Sequence, residues 1–295
     1  MKKWLKIGGA VVLAVVVVFV GVSAYLGYTM TRTPRVPVEG SPDDLGLAYE
    51  DVSFPSAVDA LTLRGWFLPV GNSDRVIVMV HGAGANRADP SNGMLAIAAG
   101  LVGNGFNVLM FDLRSCGESD GSMVSGGYYE KRDVEGAVGY LEGRGYDRIG
   151  VLGLSLGAVS SLLAAAEAPD IEAVVSDSSF ADLNDIMAPE FHARTKAPGF
   201  FLTPILVMIK LMYGVDFRAI RPIAVVADIA PRPVFFIHGD ADETIPVAHA
   251  GRLYQAADNP ADELWTVPGA GHTQAYNTRP QEYLQRVTAF FNASL

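Results

Sequence analysis

A single cysteine in 295 residues sets the first constraint. Cys116 has no second thiol to join, so no intrachain disulfide can form and the fold must be held by its core. A chain of this length can bury a sizeable one. Cation is scarce as well: 22 Lys and Arg stand against 32 Asp and Glu, a formal net charge of −10. Beyond residue 6 the only lysines are Lys131, Lys196 and Lys210. Phosphate binding needs clustered Lys and Arg, so a nucleic-acid partner is excluded. The acidic residues lack the ligand spacing of a metal site. The glycines of "GAGAN" and "GGYYE" do not make a dinucleotide fingerprint, and no cofactor or metal is expected. There is no internal repeat and no low-complexity tract outside one apolar run.

That run is what the sequence has most of. From Ile7 to Thr31 no residue is charged, and "IGGAVVLAVVVVFVGVSAYLGY" extends over 22 residues. As a helix it would be roughly 33 Å long, enough for a hydrocarbon layer of roughly 30 Å. Trp4 lies at one end and Tyr25 and Tyr28 at the other, where amphipathic rings favour the headgroup level. A cleavable signal peptide is the alternative. Lys2, Lys3 and Lys6 give it a positive start and "VSA" at 22–24 a small-residue cleavage site. The apolar run is longer than the usual 7–15 residues of such a core, which favours a retained anchor over residues 1–30. The positive bias ahead of it, against Arg32 and Arg35 behind, places the amino terminus in the cytoplasm and the rest on the exported face. The alternative is secretion after signal cleavage. Residues 31–46, "TRTPRVPVEGSPDDLG", are rich in proline, glycine and charge and read as a linker.

From residue 47 to 295 apolar, β-branched runs alternate with helical patterns. "RVIVMVHG" (75–82), "FNVLMFD" (106–112), "RIGVLGLS" (148–155), "IEAVVSDSS" (171–179), "PVFFIHGD" (233–240) and "ELWTVP" (263–268) suit strands buried on both faces of a mostly parallel sheet. "LAYEDVSFPS" and "LTLRGWFLP" precede them as an antiparallel edge. The sum is one doubly wound α/β domain. One interval breaks the rhythm: about 50 residues separate Phe180 from Ala230, including "APGFFLTPILVMIKLMYGVD". That is too long for a plain connection and predicts an inserted helical cap at about 180–230. Its apolar residues could pack on the sheet, line an acyl pocket or rest on the membrane.

Gly-x-Ser-x-Gly occurs twice, around Ser119 and, 36 residues later, around Ser155. A serine hydroxyl is a poor nucleophile until a base takes its proton and donors receive the oxyanion. A tight strand-to-helix turn with flanking glycines can present it that way. Ser155 follows the strand "RIGVLG" and precedes the helix former "GAVSSLLAAAEA". Ser119 is followed by loop and flanked by Glu118 and Asp120, which would oppose an oxyanion. Ser155 is therefore the candidate nucleophile. Of the five histidines, His81 and His238 end strands and suit bracing roles, His192 lies in the cap and His249 on a surface helix. His272, in the glycine-rich loop "VPGAGHTQAY" after the last strand, lies at the carboxyl edge of the sheet, where such folds gather ligands. It is the candidate general base. A carboxylate between the two in sequence is sought in "HGDADETIP"; turn position favours Asp242, with Asp240 as runner-up. The oxyanion hole would use the backbone N–H groups of Leu156 and of Ala83 in "HGAGANR".

With these stretches in order, "HGAGANR", "FDLRSCGESDG", "GLSLG", "HGDADETIP" and "GAGH", the chain resembles the α/β-hydrolase superfamily from about Tyr49 to Phe291. The likeness is to the branch of serine aminopeptidase-like and monoglyceride-lipase-like hydrolases with an amino-terminal membrane anchor. "FDLRSCGESDG" resembles the family's Asp-x-Arg-Gly-x-Gly-x-Ser loop, with Ser115 where glycine is usual, and this accounts for the second serine pattern. In the family the carboxylate is the aspartate three residues after the His-Gly pair, which matches Asp242. Cys116, in the same loop, has no base beside it and reads as structural. The expected activity is serine hydrolysis of a carboxylic ester or thioester, on a small-molecule acyl substrate that could be lipid-like. Peptidase or acyltransferase chemistry on the same triad, or a non-catalytic binding protein of this fold, are the alternatives.

Overall fold

The computed structural model describes residues 2–195 and 198–295; Lys196, within the expected cap, and Met1 lie outside them. The described chain forms two compact units: residues up to Arg32 together with Leu183–Ala219, and Thr33–Asp182 together with Ile220–Leu295.

The larger unit is built on one eight-stranded sheet. In chain order its strands are β1 (Glu50–Pro55), β2 (Thr62–Leu68), β3 (Arg75–Val80), β4 (Asn107–Phe111), β5 (Arg148–Leu154), β6 (Ile171–Asp177), β7 (Val234–Gly239) and β8 (Glu263–Val267). They lie side by side in the order β1-β2-β4-β3-β5-β6-β7-β8. β1 pairs antiparallel with β2 and β2 antiparallel with β4, and every pair from β4 to β8 is parallel. The mostly parallel sheet with an antiparallel edge therefore stands as expected.

Alternate residues of each inner strand feed opposite layers, as a period of two requires. Val76, Val78 and Val80 face one layer, where they meet α3 (Glu130–Glu142), α4 (Leu156–Ala165) and α7 (Ala248–Ala257). Ile77 and Met79 face the other, with α2 (Met94–Gly103) and α9 (Pro280–Ser294). β7 repeats the division: Val234 and Phe236 on one side, Phe235 and Ile237 on the other. Each such side chain withdrawn from water stabilises the fold by about 1.5–3 kcal/mol, which lets this unit stand without a disulfide. Parallel pairing also puts the carboxyl ends of β3, β5, β6, β7 and β8 on one edge. The loops leaving those ends meet there.

The segment joining the two units is held down rather than loose. The Arg35 guanidinium donates to the carbonyls of Cys116, Gly117, Ser119 and Gly121. Asn86 Nδ2 donates to the carbonyls of Val36 and Pro37, at 3.3 and 3.0 Å. Residues 33–39 thus run as a strap across the loops at the carboxyl edge.

The smaller unit contains α1 (Lys2–Met30), α5 (Leu183–Thr195) and α6 (Leu202–Tyr213). At 29 residues α1 is roughly 43 Å long, and its span from Lys3 to Met30 has the length and apolarity to cross a membrane. The interval expected as a cap is helical over α5 and α6. Residues 220–230 instead belong to the larger unit and contain two short 3₁₀ turns, with Ile220, Val226 and Ile229 buried.

Candidate active site

β5 delivers its last residue straight into α4, and Ser155 occupies the corner with φ 52° and ψ −113°. A non-glycine residue there is strained and must be held by its surroundings. Two glycines make room for it. A Cβ on Gly153 would meet the Gly157 carbonyl oxygen at 2.4 Å, and one on Gly157 would meet the Val80 carbonyl oxygen at 2.2 Å. So the glycines of the pattern serve the close passage of α4 over β5 and β3. The Ser155 amide is fixed by donation to the Asp177 carbonyl at 2.8 Å.

His272 arrives from the loop after β8, and its Nε2 lies 2.8 Å from Ser155 Oγ. Its Nδ1 is 2.7 Å from Asp242 Oδ2, contributed by the turn after β7. A carboxylate only accepts, so the proton sits on Nδ1 and the Nε2 lone pair faces the serine hydroxyl. Asp242 Oδ1 accepts the amides of Thr244 and Ile245, at 2.9 and 2.8 Å. His238 Nε2 lies 3.2 Å from Asp242 Oδ2 and 2.7 Å from the Ile245 carbonyl. Burial by itself would raise the Asp242 pKa. The bonds from His238, His272 and the Ile245 amide outweigh it and hold this carboxyl well below the usual carboxylate range.

Ala83, in the loop after β3, and Ser155 line one cleft of about 440 Å³. Leu156 begins α4, where the first amides have no intrahelical acceptor. The loop carrying Ala83 is braced from below. His81 is fully buried, donates from Nδ1 to the Gly82 carbonyl at 2.7 Å and accepts the Leu113 amide on Nε2 at 3.0 Å. Burial lowers its pKa and keeps it neutral, the state this donor–acceptor pattern needs. Arg87 pairs with the buried Asp112, which also accepts the Arg87 and Glu118 amides. The same guanidinium lies over the Trp66 ring at 4.3 Å.

The other residues considered from sequence sit apart from this cluster. Ser119 is buried, with Oγ donating to the Asp112 carbonyl at 2.6 Å and accepting the Arg64 amide at 2.9 Å. Asp240 accepts the Gly269 amide at 2.7 Å and steadies the loop that carries His272. Burial pushes the Cys116 thiol up to about 12, which leaves it without thiolate character. His249 Nδ1 accepts the Ala181 amide at 3.1 Å.

A second carboxylate escaped the sequence reading. Asp177 ends β6 fully buried, and Ser178 Oγ donates to its Oδ1 at 2.9 Å while accepting the Thr273 amide at 3.1 Å. Thr273 has φ 55° and follows His272, so this relay pins the histidine loop from behind. Its only trace in the sequence was the polar ending "SDSS" of an apolar strand. Burial pushes Asp177 up to about 6, only partly offset by the Ser178 bond and the nearby His238 and His272.

Within the described residues no group of His, Cys, Asp and Glu could hold a metal ion. The cleft also takes in Glu39 of the strap, along with Asn86, Ser91, Asn92, Thr273 and Gln274. Polar and apolar surface share its wall almost equally.

The model of the alpha/beta hydrolase family matches residues 77–286. The chain is 29% identical over 305 residues to the uncharacterized protein YqkD of Bacillus subtilis (strain 168), covering 99% of this chain and 98% of that one. It is 28% identical over 254 residues to the protein YfhR of Escherichia coli (strain K12), covering 83% and 81%. Among solved structures the Pyrococcus furiosus esterase Pf2001 superposes with a TM-score of 0.76 at 28% identity, over 90% of this chain and 98% of that one. Fold, sheet order and these likenesses agree, and the chain belongs to the alpha/beta hydrolase family.

Two outcomes follow from the buried charges. In Asp177 the folded pKa lies above the ordinary 3.8, so the fold favours the protonated form. That stability is fully present below about pH 4 and is lost as pH rises through about 6, an effect on the order of 3 kcal/mol. Asp177→Asn should therefore gain melting temperature over the parent at pH 8 and lose the advantage at pH 4, read by thermal unfolding across that range. Arg87→Met leaves Asp112 buried without its counter-charge and should cost about 3–5 kcal/mol, read by urea unfolding of the full chain in detergent.

Proposed function

We propose that the protein is a serine hydrolase that cleaves a carboxylic ester or thioester through an acyl-enzyme on Ser155. The observation that carries this is the continuous hydrogen-bonded line from Ser155 Oγ through His272 to Asp242. His272 Nε2 takes the hydroxyl proton as Oγ attacks the acyl carbonyl. Asp242 keeps the imidazole in the required tautomer and stabilises the imidazolium. The developing oxyanion is received by the amides of Ala83 and Leu156, each worth about 2.7–4 kcal/mol in the transition state by analogy with other such donors. His272 then protonates the leaving group, and water activated by the same nitrogen releases the acid. Placement in the anchored branch named from sequence rests on the shared motifs and on α1.

An ester is preferred over a peptide bond because the esterase Pf2001 is among the similar structures. The polar side chains of Asn86, Asn92 and Gln274 on the cleft wall support a short or polar-substituted acyl group. A lipid-like acyl chain is the second reading, favoured by the apolar helix α6 in the same chain. We read α1 as a retained anchor with the amino terminus cytoplasmic and the larger unit on the exported face. Three lysines before the apolar run support that orientation.

A fluorophosphonate probe on the full chain in detergent should label the parent and Ser119→Ala, and fail to label Ser155→Ala. Absence of labelling in the parent would leave a binding protein of this fold. In steady-state assays on p-nitrophenyl esters, His272→Ala should lower kcat by roughly 10³-fold or more. With chain length graded from acetate upward, kcat/KM should peak at short acyl groups; a rise through long chains would favour the lipid-like reading instead.

A further inference from the structure

α1 does not stand alone in its unit. Ser23, Gly27 and Thr31 share one face at a spacing of four, and Ser23 and Thr31 are buried. Their hydroxyls turn back onto their own helix: Ser23 Oγ donates to the Phe19 carbonyl and Thr31 Oγ1 to that of Gly27. α6 fills the shallow face this leaves. A Cβ on Gly27 would meet Ile209 Cγ1 at 3.1 Å and the Ile205 carbonyl oxygen at 3.5 Å, and both isoleucines are buried. Small residues that let two helices approach are the usual basis of packing between helices in lipid.

A second contact fixes the direction. The rings of Phe19 and Phe201 are 6.0 Å apart, centroid to centroid. Phe19 faces 201 and Gly27 faces 209, so the two helices run parallel in step. Depth follows from α1. A hydrocarbon layer of roughly 30 Å takes about 20 residues, which from Ile7, the first after the last lysine, ends near Leu26. Phe19 then lies roughly 10 Å inside that boundary at 1.5 Å per residue, and Phe201 lies beside it. Lys210, level with Tyr28, comes out at the headgroups, where it pairs with Asp216 at 2.7 Å. Phe200 is 68% exposed and Leu211 74%, with Val207 exposed between them. In water these residues would be a liability; beside a membrane-spanning helix they continue its apolar surface.

We propose that α6 is a second membrane-embedded element: its amino-terminal end, Phe200–Pro204, sits among the lipid acyl chains at the carboxyl end of α1, and its carboxyl end emerges at the headgroups. The inference rests on the reading of α1 as a retained anchor. It also supports that reading, since cleavage after Ala24 would strip Gly27 and Thr31 of the helix that holds them against α6.

The test uses the full chain in phosphatidylcholine–phosphatidylglycerol vesicles, with an environment-sensitive nitrobenzoxadiazole label on Phe200→Cys, Leu211→Cys or Val12→Cys. Each is made in a Cys116→Ser background. Val12 supplies the reference inside the bilayer. The label at 200 should resemble that at 12: blue-shifted, shielded from aqueous iodide, and quenched by lipids spin-labelled within the acyl chain. The label at 211 should be quenched most by lipids spin-labelled at the headgroup. Iodide access at 200 equal to that of the unfolded chain would overturn the proposal. So would a blue-shifted label at 200 untouched by any spin-labelled lipid, because protein would then cover it. Intact mass of the membrane-extracted chain separates the two readings. Loss of the first 24 residues sinks the anchor, whereas full mass with a water-exposed label at 200 sinks only the placement of α6.

Discussion

The passage of the Gly157 backbone against the Val80 carbonyl is the constraint on which the candidate site depends. It lets α4 leave β5 at a sharp angle, and that angle puts Ser155 at a positive φ with its hydroxyl clear of the sheet. A side chain at position 157 would push the helix off β3 and close the corner. The strain at Ser155 is held by the parallel pairing of β3, β5 and β6, whose hydrogen bonds fix the corner from both sides, the Ser155 amide on the Asp177 carbonyl among them. Rigidity of the sheet thus becomes precision at one oxygen atom.

What the sequence made legible follows from the same physics. Strands buried on both faces must be apolar throughout, so β3 to β7 stood out as continuous runs and their limits moved by at most two residues. Gly-x-Ser-x-Gly had two readings, and the helix former after Ser155 separated them because the corner needs a helix to turn into. Less legible were groups whose role depends on a partner distant in sequence. Asp177 and Thr273 are joined through Ser178 across some 95 positions, and no local pattern encodes that meeting. His238 was expected to brace a loop; the structure places it on Asp242 as well, so it helps hold the carboxylate that faces His272. The strap of residues 33–39 falls within 31–46, which read as a linker from their proline, glycine and charge. Nothing in composition signals that Arg35 would find four carbonyls in the loop around Cys116.

The network of Arg87 and Asp112 shows how two of the quoted stretches cooperate. "HGAGANR" contributes the guanidinium and "FDLRSCGESDG" the carboxylate, and both are almost wholly buried. A buried ion pair is seldom kept for stability, since apolar residues of the same volume often do as well. Here its geometry serves another end: it ties the loop that bears Ala83 to the end of β4, with His81 bonded to both loops just beneath. The second serine pattern belongs to this tie. Ser119 Oγ bonds the Asp112 carbonyl and the Arg64 amide, so its hydroxyl is spent on holding the loop and not on chemistry.

Two carboxylates flank the histidine loop, and their surroundings drive them in opposite directions. Asp242 receives two backbone amides and two imidazoles and stays ionised far into acid. Asp177, fully buried and bonded by the Ser178 hydroxyl, is pushed up to about 6. Asp242 meets the His272 ring directly at Nδ1, while Asp177 meets the histidine loop only through Ser178 and the Thr273 amide. Separation of paired carboxylates by environment is a general route to assigning distinct tasks. In this protein Asp242 bonds the imidazole itself and Asp177 fastens the chain that carries it.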